Sequence, residues 1–195
     1  MIMNKKDLQF YLEADRKSLG INHGRPYLLG DEIWRFQIAL RKYEFRINSR
    51  RSPLDRPLRM LARIRYHVWS LLLGFSIPPN VFGPGLSIAH RGTIIVFPGT
   101  KVGKNCRLHA CVNIGVAAGT TDQVPVIGDN VYVGPGAKLF GKISIADGVA
   151  IGANAVVNKS CTEASSTLGG VPARVLSRKG SKGLLLRGTD LVVSS

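Results

Sequence analysis

Four histidines are the side chains of this 195-residue sequence best suited to moving a proton near neutral pH. A neutral imidazole titrates close to working pH, so it can take a proton from a hydroxyl and pass it on. His23 and His67 belong to the helical N-terminal segment and read as structural. His90, in I-A-H-R-G-T, and His109, directly after Leu108, fall in the glycine-rich remainder of the chain. Each is either a working base or a surface histidine on residue type alone. Cys106, Cys111 and Cys161 are odd in number and form no CxxC pair, so they read as reduced, buried residues of a cytosolic protein. Scattered histidines and unspaced cysteines predict no metal site.

The elements that must position these residues are of two kinds. Residues 5–18 predict a short helix ending at Gly20, and residues 21–30, with Gly24, Pro26 and Gly30, a loop. Asp31 is placed to cap a helix over Glu32–Arg46, with Ile33, Trp34, Ile38 and Tyr43 or Phe45 for its apolar face. Pro53 and Pro57 mark a break, and an amphipathic, basic helix follows over Leu58–Leu73. Its Arg59, Arg63 and Arg65 read as a solvated face or as contacts to an anionic ligand or surface.

After Gly74 the period changes to six. Aliphatic residues recur at Ile127, Val133, Leu139, Ile145, Ile151 and Val157, and a second set follows at Val131, Ala137, Ile143, Val149, Ala155 and Cys161. Upstream the frame holds at Val102, Leu108 and Ile114. A period of six is neither helical nor simple strand alternation. It predicts a triangular solenoid in which each unit is one short strand and one corner, and three units make a coil that stacks on the next. Asn130 and Asn154 suit corners with positive φ. The frame breaks between Ile114 and Ile127, where a small, polar run predicts an extruded corner, and again between Ile94 and Val102.

The chain carries 27 Lys and Arg against 12 Asp and Glu, a net charge of +15 spread over both parts. That favours anionic partners. No zinc-finger, helix-turn-helix or similar module is present in the sequence, so nucleic acid is not expected. No signal peptide or membrane-length apolar run is seen, which predicts a cytoplasmic protein, with membrane-surface contact through the basic helices left open.

Three stretches carry a resemblance to a known family: S-I-P-P-N-V-F-G-P-G-L-S-I-A-H-R-G-T at 76–93, I-G-D-N-V-Y-V-G-P-G-A-K-L-F-G at 127–141 and G-G-V-P-A-R-V at 169–175. They resemble the hexapeptide-repeat acyltransferases, on the side of the serine O-acetyltransferases. The fold so implied is all-β, a left-handed parallel β-helix preceded by a small α-helical segment. The expected divisions are a helical segment over 1–74, the β-helix over 75–176 and a loose extension or interface arm over 177–195. The implied activity is acetyl-CoA-dependent O-acetyl transfer by a homotrimer with sites between prisms. His90 matches the family's general base, and His109 is a second candidate that would hold the acceptor or line the pocket. Gly115, Ala117, Ala118, Gly134, Gly136 and Ala137 would let the pantetheine approach the backbone, and Lys159, Arg174, Arg178 and Lys179 would meet the phosphates of acetyl-CoA.

The sequence departs from the serine-specific pattern at three places. Ala89 and Ser76 stand where that pattern has aspartates, and Val124 stands where it has an acceptor-site histidine. Ser76 can still hydrogen-bond an imidazole but brings no charge. These losses predict a sugar hydroxyl, in surface-polysaccharide synthesis, as the acceptor. The alternatives are free serine, giving O-acetylserine for cysteine synthesis, and a non-catalytic scaffold that binds a protein partner.

Overall fold

The computed structural model describes residues 1–27, 29–49 and 55–193. Helix α1 spans Lys5–Ser18 and opens on a capping box: the Asn4 side chain accepts the Asp7 N–H at 2.9 Å and the Asp7 carboxylate accepts the Asn4 N–H at 3.3 Å. Helix α2 spans Glu32–Asn48. Asp31 precedes it but does not cap it, because its carboxylate is engaged by the Tyr27 N–H and by His23 Nε2, both at 2.7 Å. Its buried residues include Trp34, Phe36, Ala39 and Leu40, and Ile33 packs against the core, so Ile33 and Trp34 lie inward as expected while Ile38 and Phe45 are only partly buried. Helix α3 spans Arg56–Leu73, starting two residues earlier than the sequence suggested. Pro57 begins this helix rather than breaking it, since a first-turn residue needs no N–H partner; Pro53 lies outside the described residues. Gly74, at φ +73°, ends α3 in the left-handed conformation that glycine adopts without cost.

Short strands follow: β1 (Phe75–Ser76), β2 (Ser87–Ile88), β3 (Ile94–Val96), β4 (Lys101–Val102), β5 (Arg107–Leu108), β6 (Asn113–Gly115) and β7 (Val126–Ile127). Then come β8 (Tyr132–Val133), β9 (Lys138–Phe140), β10 (Ser144–Ile145), β11 (Ala150–Ile151), β12 (Val156–Val157), β13 (Thr167–Gly169) and β14 (Arg174–Ser177). They make three faces of a prism, which the chain visits in rotation. The first face is β4, β7 and β10; the second is β2, β5, β8, β11, β13 and β14; the third is β1, β3, β6, β9 and β12. All pairings are parallel except that of β13 with β14, which closes the stack.

The inward positions are those the six-residue frame picks out. Ile127, Val133, Leu139, Ile145, Ile151 and Val157 are buried, and so are Val131, Ala137, Ile143, Val149, Ala155 and Cys161. Asn130 and Asn154 both sit at φ +56°, as corners require. Cys106 and Cys161 are buried thiols, but Cys111 is exposed, at φ +62°, on a corner instead of inside. The register also relocates one frame break. Ile88 pairs with Leu108, and Val96 pairs with Ile114, so the two extra residues lie between Ile88 and Val96, not between Ile94 and Val102. The second break is larger: Lys101 pairs with Val126, 25 positions on, whereas Val126 pairs with Ser144, 18 positions on. Seven residues therefore leave the coil after β6.

The end of the prism at β1 and β2 is capped by α1 and α2 through one buried guanidinium. Arg41 is fully buried. Its Nε donates to Asp15 Oδ2 at 2.8 Å, Nη1 to Glu44 Oε2 at 3.0 Å and the Phe82 carbonyl at 2.9 Å, and Nη2 to Asp15 Oδ1 at 3.2 Å and the Gly83 carbonyl at 2.7 Å. Asp15 in turn accepts the Gly85 and Leu86 N–H groups at 2.8 and 2.9 Å, and Glu44 accepts that of Asn80 at 2.7 Å. The two carboxylates drive the Arg41 pKa further up despite its burial, so the guanidinium stays charged.

Of the two expectations for the C-terminal segment, a loose extension or an interface arm, the structure does not show the loose extension. Ser181 donates its N–H to the Gly148 carbonyl and its hydroxyl to the Asn130 carbonyl, and a short helix α4 (Gly188–Val193) packs on α1. Gly188 passes so close that a Cβ would lie 2.0 Å from the Ala14 carbonyl.

Arg41→Leu should lower the unfolding free energy by about 3–5 kcal/mol, because two carboxylates would be left buried without their partner. Urea unfolding followed by circular dichroism measures it.

Candidate active site

The corner that carries His90 exists because of the two-residue insertion between β2 and β3. Gly92, at φ +125°, lets the widened corner turn, and its N–H donates to the Leu73 carbonyl at 3.3 Å, which fixes the corner to the end of α3. The Cys111 N–H donates to the Thr93 carbonyl at 2.7 Å, which ties the corner to the next coil. His90 is exposed on this corner.

His109 lies one coil along. The Ala89 N–H donates to the Leu108 carbonyl at 2.9 Å, and the His109 N–H donates to the Val133 carbonyl at 3.2 Å, so the coils stack here in register. The His90 and His109 ring centroids are 5.7 Å apart, and Tyr132 lies 5.1 Å from His109 on its other side. Both histidines singled out by the sequence therefore meet at one edge of the second face. Tyr132 was not singled out. The signal for it was the 25-residue coil interval, which pairs Tyr132 with Arg107, but only the register shows that interval.

His109 is half-buried, and its Nε2 is buried with no hydrogen-bond partner. Burial pushes its pKa below the usual imidazole value, and the charges of Arg107 and His90 push the same way. His109 is thus held neutral, with one polar edge free for a partner. Arg107 is itself tied to the Ser87 hydroxyl at 3.1 Å.

The remaining expected residues are dispersed. Ser76 is exposed on β1, and among the described hydrogen bonds none joins it to His90. Gly115, Ala117 and Ala118 lie where the extruded segment leaves the third face, one face of the prism away from the histidine corner. Within one chain the loop and the histidines do not meet. Ala137 is wholly inside the prism and is no ligand contact, a correction that follows from its place in the inward offset set. Gly134 and Gly136 are required by coil stacking: added Cβ atoms would lie 2.8 Å from the Ile151 carbonyl oxygen and 2.0 Å from Asn154 Oδ1. Val124 is half-buried, within 3.8 Å of the position a Cβ would take on Gly99. Lys159, Arg174, Arg178 and Lys179 are exposed, and Arg178 pairs with Glu163 at 2.9 Å.

Comparison with known proteins agrees with this geometry. The bacterial transferase hexapeptide family (six repeats) matches residues 125–159. The repeat and the three-faced coil define the class: a left-handed β-helix with a helical N-terminal part, built on transferase hexapeptide repeats. Within that class the chain is similar to the serine O-acetyltransferases. It is 34% identical over 128 residues to the serine acetyltransferase of Synechococcus elongatus, covering 63% of this chain and 51% of that one. It is 35% identical over 130 residues to the enzyme of Staphylococcus xylosus, covering 63% and 57%. The chain thus spans about half the length of these curated relatives. Among solved structures, the serine acetyltransferase of Neisseria gonorrhoeae in complex with serine superposes with a TM-score of 0.65 at 26% identity, over 89% of this chain and 70% of that chain. These relatives overturn the expected sugar acceptor and its place in polysaccharide synthesis. Three altered side chains were weighed above the whole repeat scaffold, and the proteins sharing that scaffold are named for serine.

His109→Gln should flatten the acid-side loss of stability. The folded pKa of His109 lies below its unfolded value near about 6.5. The unfolded chain therefore binds the extra proton first, and stability falls as pH drops through that value. Melting temperatures at neutral and at mildly acidic pH should fall more in the wild type than in H109Q; equal falls would remove the effect.

Proposed function

We propose that this chain is a cytoplasmic, acetyl-CoA-dependent O-acetyltransferase whose acceptor is the hydroxyl of serine, with His90 as general base. The observation that carries the proposal is the adjacent His90–His109 pair, with ring centroids 5.7 Å apart, on a hexapeptide prism whose relatives are serine acetyltransferases.

A serine hydroxyl is almost wholly un-ionised near neutral pH and is a poor nucleophile. His90 takes its proton as the oxygen attacks the thioester carbonyl carbon, a contribution of roughly 10²–10⁴-fold. The tetrahedral intermediate collapses, the carbon–sulfur bond breaks, and the departing thiolate recovers the proton from the His90 imidazolium. O-acetylserine and CoA leave. His109, held neutral, offers its unpartnered Nε2 edge to the acceptor. Gly115, Ala117 and Ala118 would expose backbone to the pantetheine, with Lys159, Arg174 and Lys179 toward the phosphates.

The assembly in this reading is a homotrimer. It is supported by the separation of the extruded segment from the histidine corner by one prism face, since a neighbouring prism can bring its own segment to that corner. Light scattering should give three times the mass of one chain, and a stable monomer would refute the trimer.

His90→Ala should cut kcat/KM for serine-dependent thiol release by roughly 10²-fold or more. The calorimetric affinity for acetyl-CoA should stay near the wild-type value. A variant that keeps more than about a tenth of wild-type activity would remove His90 as the base. Absence of thiol release from the wild type with serine, together with no rise in melting temperature on adding acetyl-CoA, would leave a non-catalytic scaffold.

A further inference from the structure

Helix α3 has two apolar sides and uses only one of them to fold. Ala62, Tyr66, Trp69 and Leu73, at helical spacing, turn toward the rest of the chain. On the opposite side Leu61, Ile64, Val68, Leu71 and Leu72 are 55%, 50%, 46%, 69% and 70% exposed. At 100° per residue these five fall in one stripe. Arg56 and Arg63 border it on one edge and Arg65 on the other, all exposed, and the helix contains no acidic residue.

The stripe runs into a groove of about 1190 Å³ between α1, α2 and α3. Leu61 of the stripe and Arg65 on its border also line the groove. Lys5, Lys6 and Lys42 add cations along the groove, and its sole lining carboxylate, Glu13, is bound to Arg16. The apolar stripe is therefore continuous with a positive surface.

We propose that this face of α3 docks on an anionic phospholipid bilayer, with the helix lying in the plane of the headgroups. Leu61, Ile64, Val68, Leu71 and Leu72 enter the boundary of the acyl region, and the bordering arginines meet lipid phosphates. An apolar stripe between cationic borders is the pattern of an interfacial helix. The 18 residues of α3 give a docking edge of about 27 Å. No helix among the described residues is long and apolar enough to cross a membrane, so the association is peripheral.

Charge decides for lipid against a second copy packed stripe to stripe. Two α3 stripes packed on each other would bring arginine toward arginine, with no carboxylate on either helix to pair them. A bilayer containing anionic lipid supplies a phosphate for each. The docked helix is also tied to the His90 corner, because the Gly92 N–H donates to the Leu73 carbonyl at its end. The inference stands independently of which hydroxyl is acetylated.

The test is co-sedimentation of the full chain with vesicles of phosphatidylcholine alone and of phosphatidylcholine with phosphatidylglycerol. The wild type should pellet with the anionic vesicles only, and added salt should weaken the binding. The double variants Ile64→Ser with Leu71→Ser, and Arg63→Gln with Arg65→Gln, should each lower the partition by roughly tenfold or more. Their unfolding midpoints and masses by light scattering should be unchanged, because the altered side chains are exposed. Binding to neither vesicle, equal binding to both, or variants that bind like the wild type would overturn the proposal. So would variants of altered mass, which would assign the stripe to contact between copies, and variants of lowered midpoint, which would assign it to folding.

Discussion

Arg41 is the constraint on which the rest of the structure depends. A solenoid ends in open backbone, and the first coil of this one presents the Phe82 and Gly83 carbonyls and the Gly85 and Leu86 N–H groups at its end. Left buried without partners, each would carry a desolvation cost. The Arg41 guanidinium answers the carbonyls, and Asp15, held by the same guanidinium, answers the N–H groups. One ion pair thus converts a chain end into a cap. The arrangement makes α1 and α2 part of the prism instead of an appendage, and Gln37 reinforces it by donating to the Leu86 carbonyl at 2.7 Å. The C-terminal segment joins the same assembly, with Ser18 Oγ accepting the Gly188 N–H at 3.0 Å and Asn105 bonded to Thr189.

With its end fixed, the prism has little freedom except where its frame is interrupted. A regular coil spends every residue on an inward side chain, a corner or a lattice of backbone bonds. Extra residues must leave the wall. The two inserted between Ile88 and Val96 widen one corner and bring out His90; the seven after β6 make the extruded segment. The candidate chemistry is found where the repeat fails, and the regular coils fix how far apart those places are.

The repeat was legible because each strand contributes one inward aliphatic residue at a fixed interval, so the six residues from Ile127 to Val157 announce themselves without knowledge of their neighbours. The cap was not legible. Asp15, Arg41 and Glu44 are charged residues on amphipathic helices, and the same residues would serve equally well on a solvated face. Only the arrival of the first coil buries them. Ala137 shows the opposite error: a small residue beside Gly136 looks suited to a close ligand, yet the offset set of the repeat had already assigned it to the interior. The first frame break was displaced because Ile94 fits the aliphatic pattern as well as Val96 does, and only the pairing of Val96 with Ile114 chooses between them. The absence of carboxylates at 76 and 89 was legible, but it did not by itself identify the acceptor.

That absence changes how a proton can be held at the His90 corner. A carboxylate beside a base does two things: it orients the ring and it stabilises the imidazolium. Here the nearest ring is another imidazole, with its centroid 5.7 Å away. Were His109 charged, it would oppose proton uptake by His90, since like charges so close disfavour one another. Burial keeps His109 neutral, and Arg107 and His90 push it the same way. Tyr132, 5.1 Å from His109, completes the row of rings. The corner thus gives up electrostatic stabilisation of a cation and keeps an uncharged neighbour that does not resist one. In the proposed reaction His90 therefore takes its proton with Ser76 and Ala89, and no carboxylate, at these two positions.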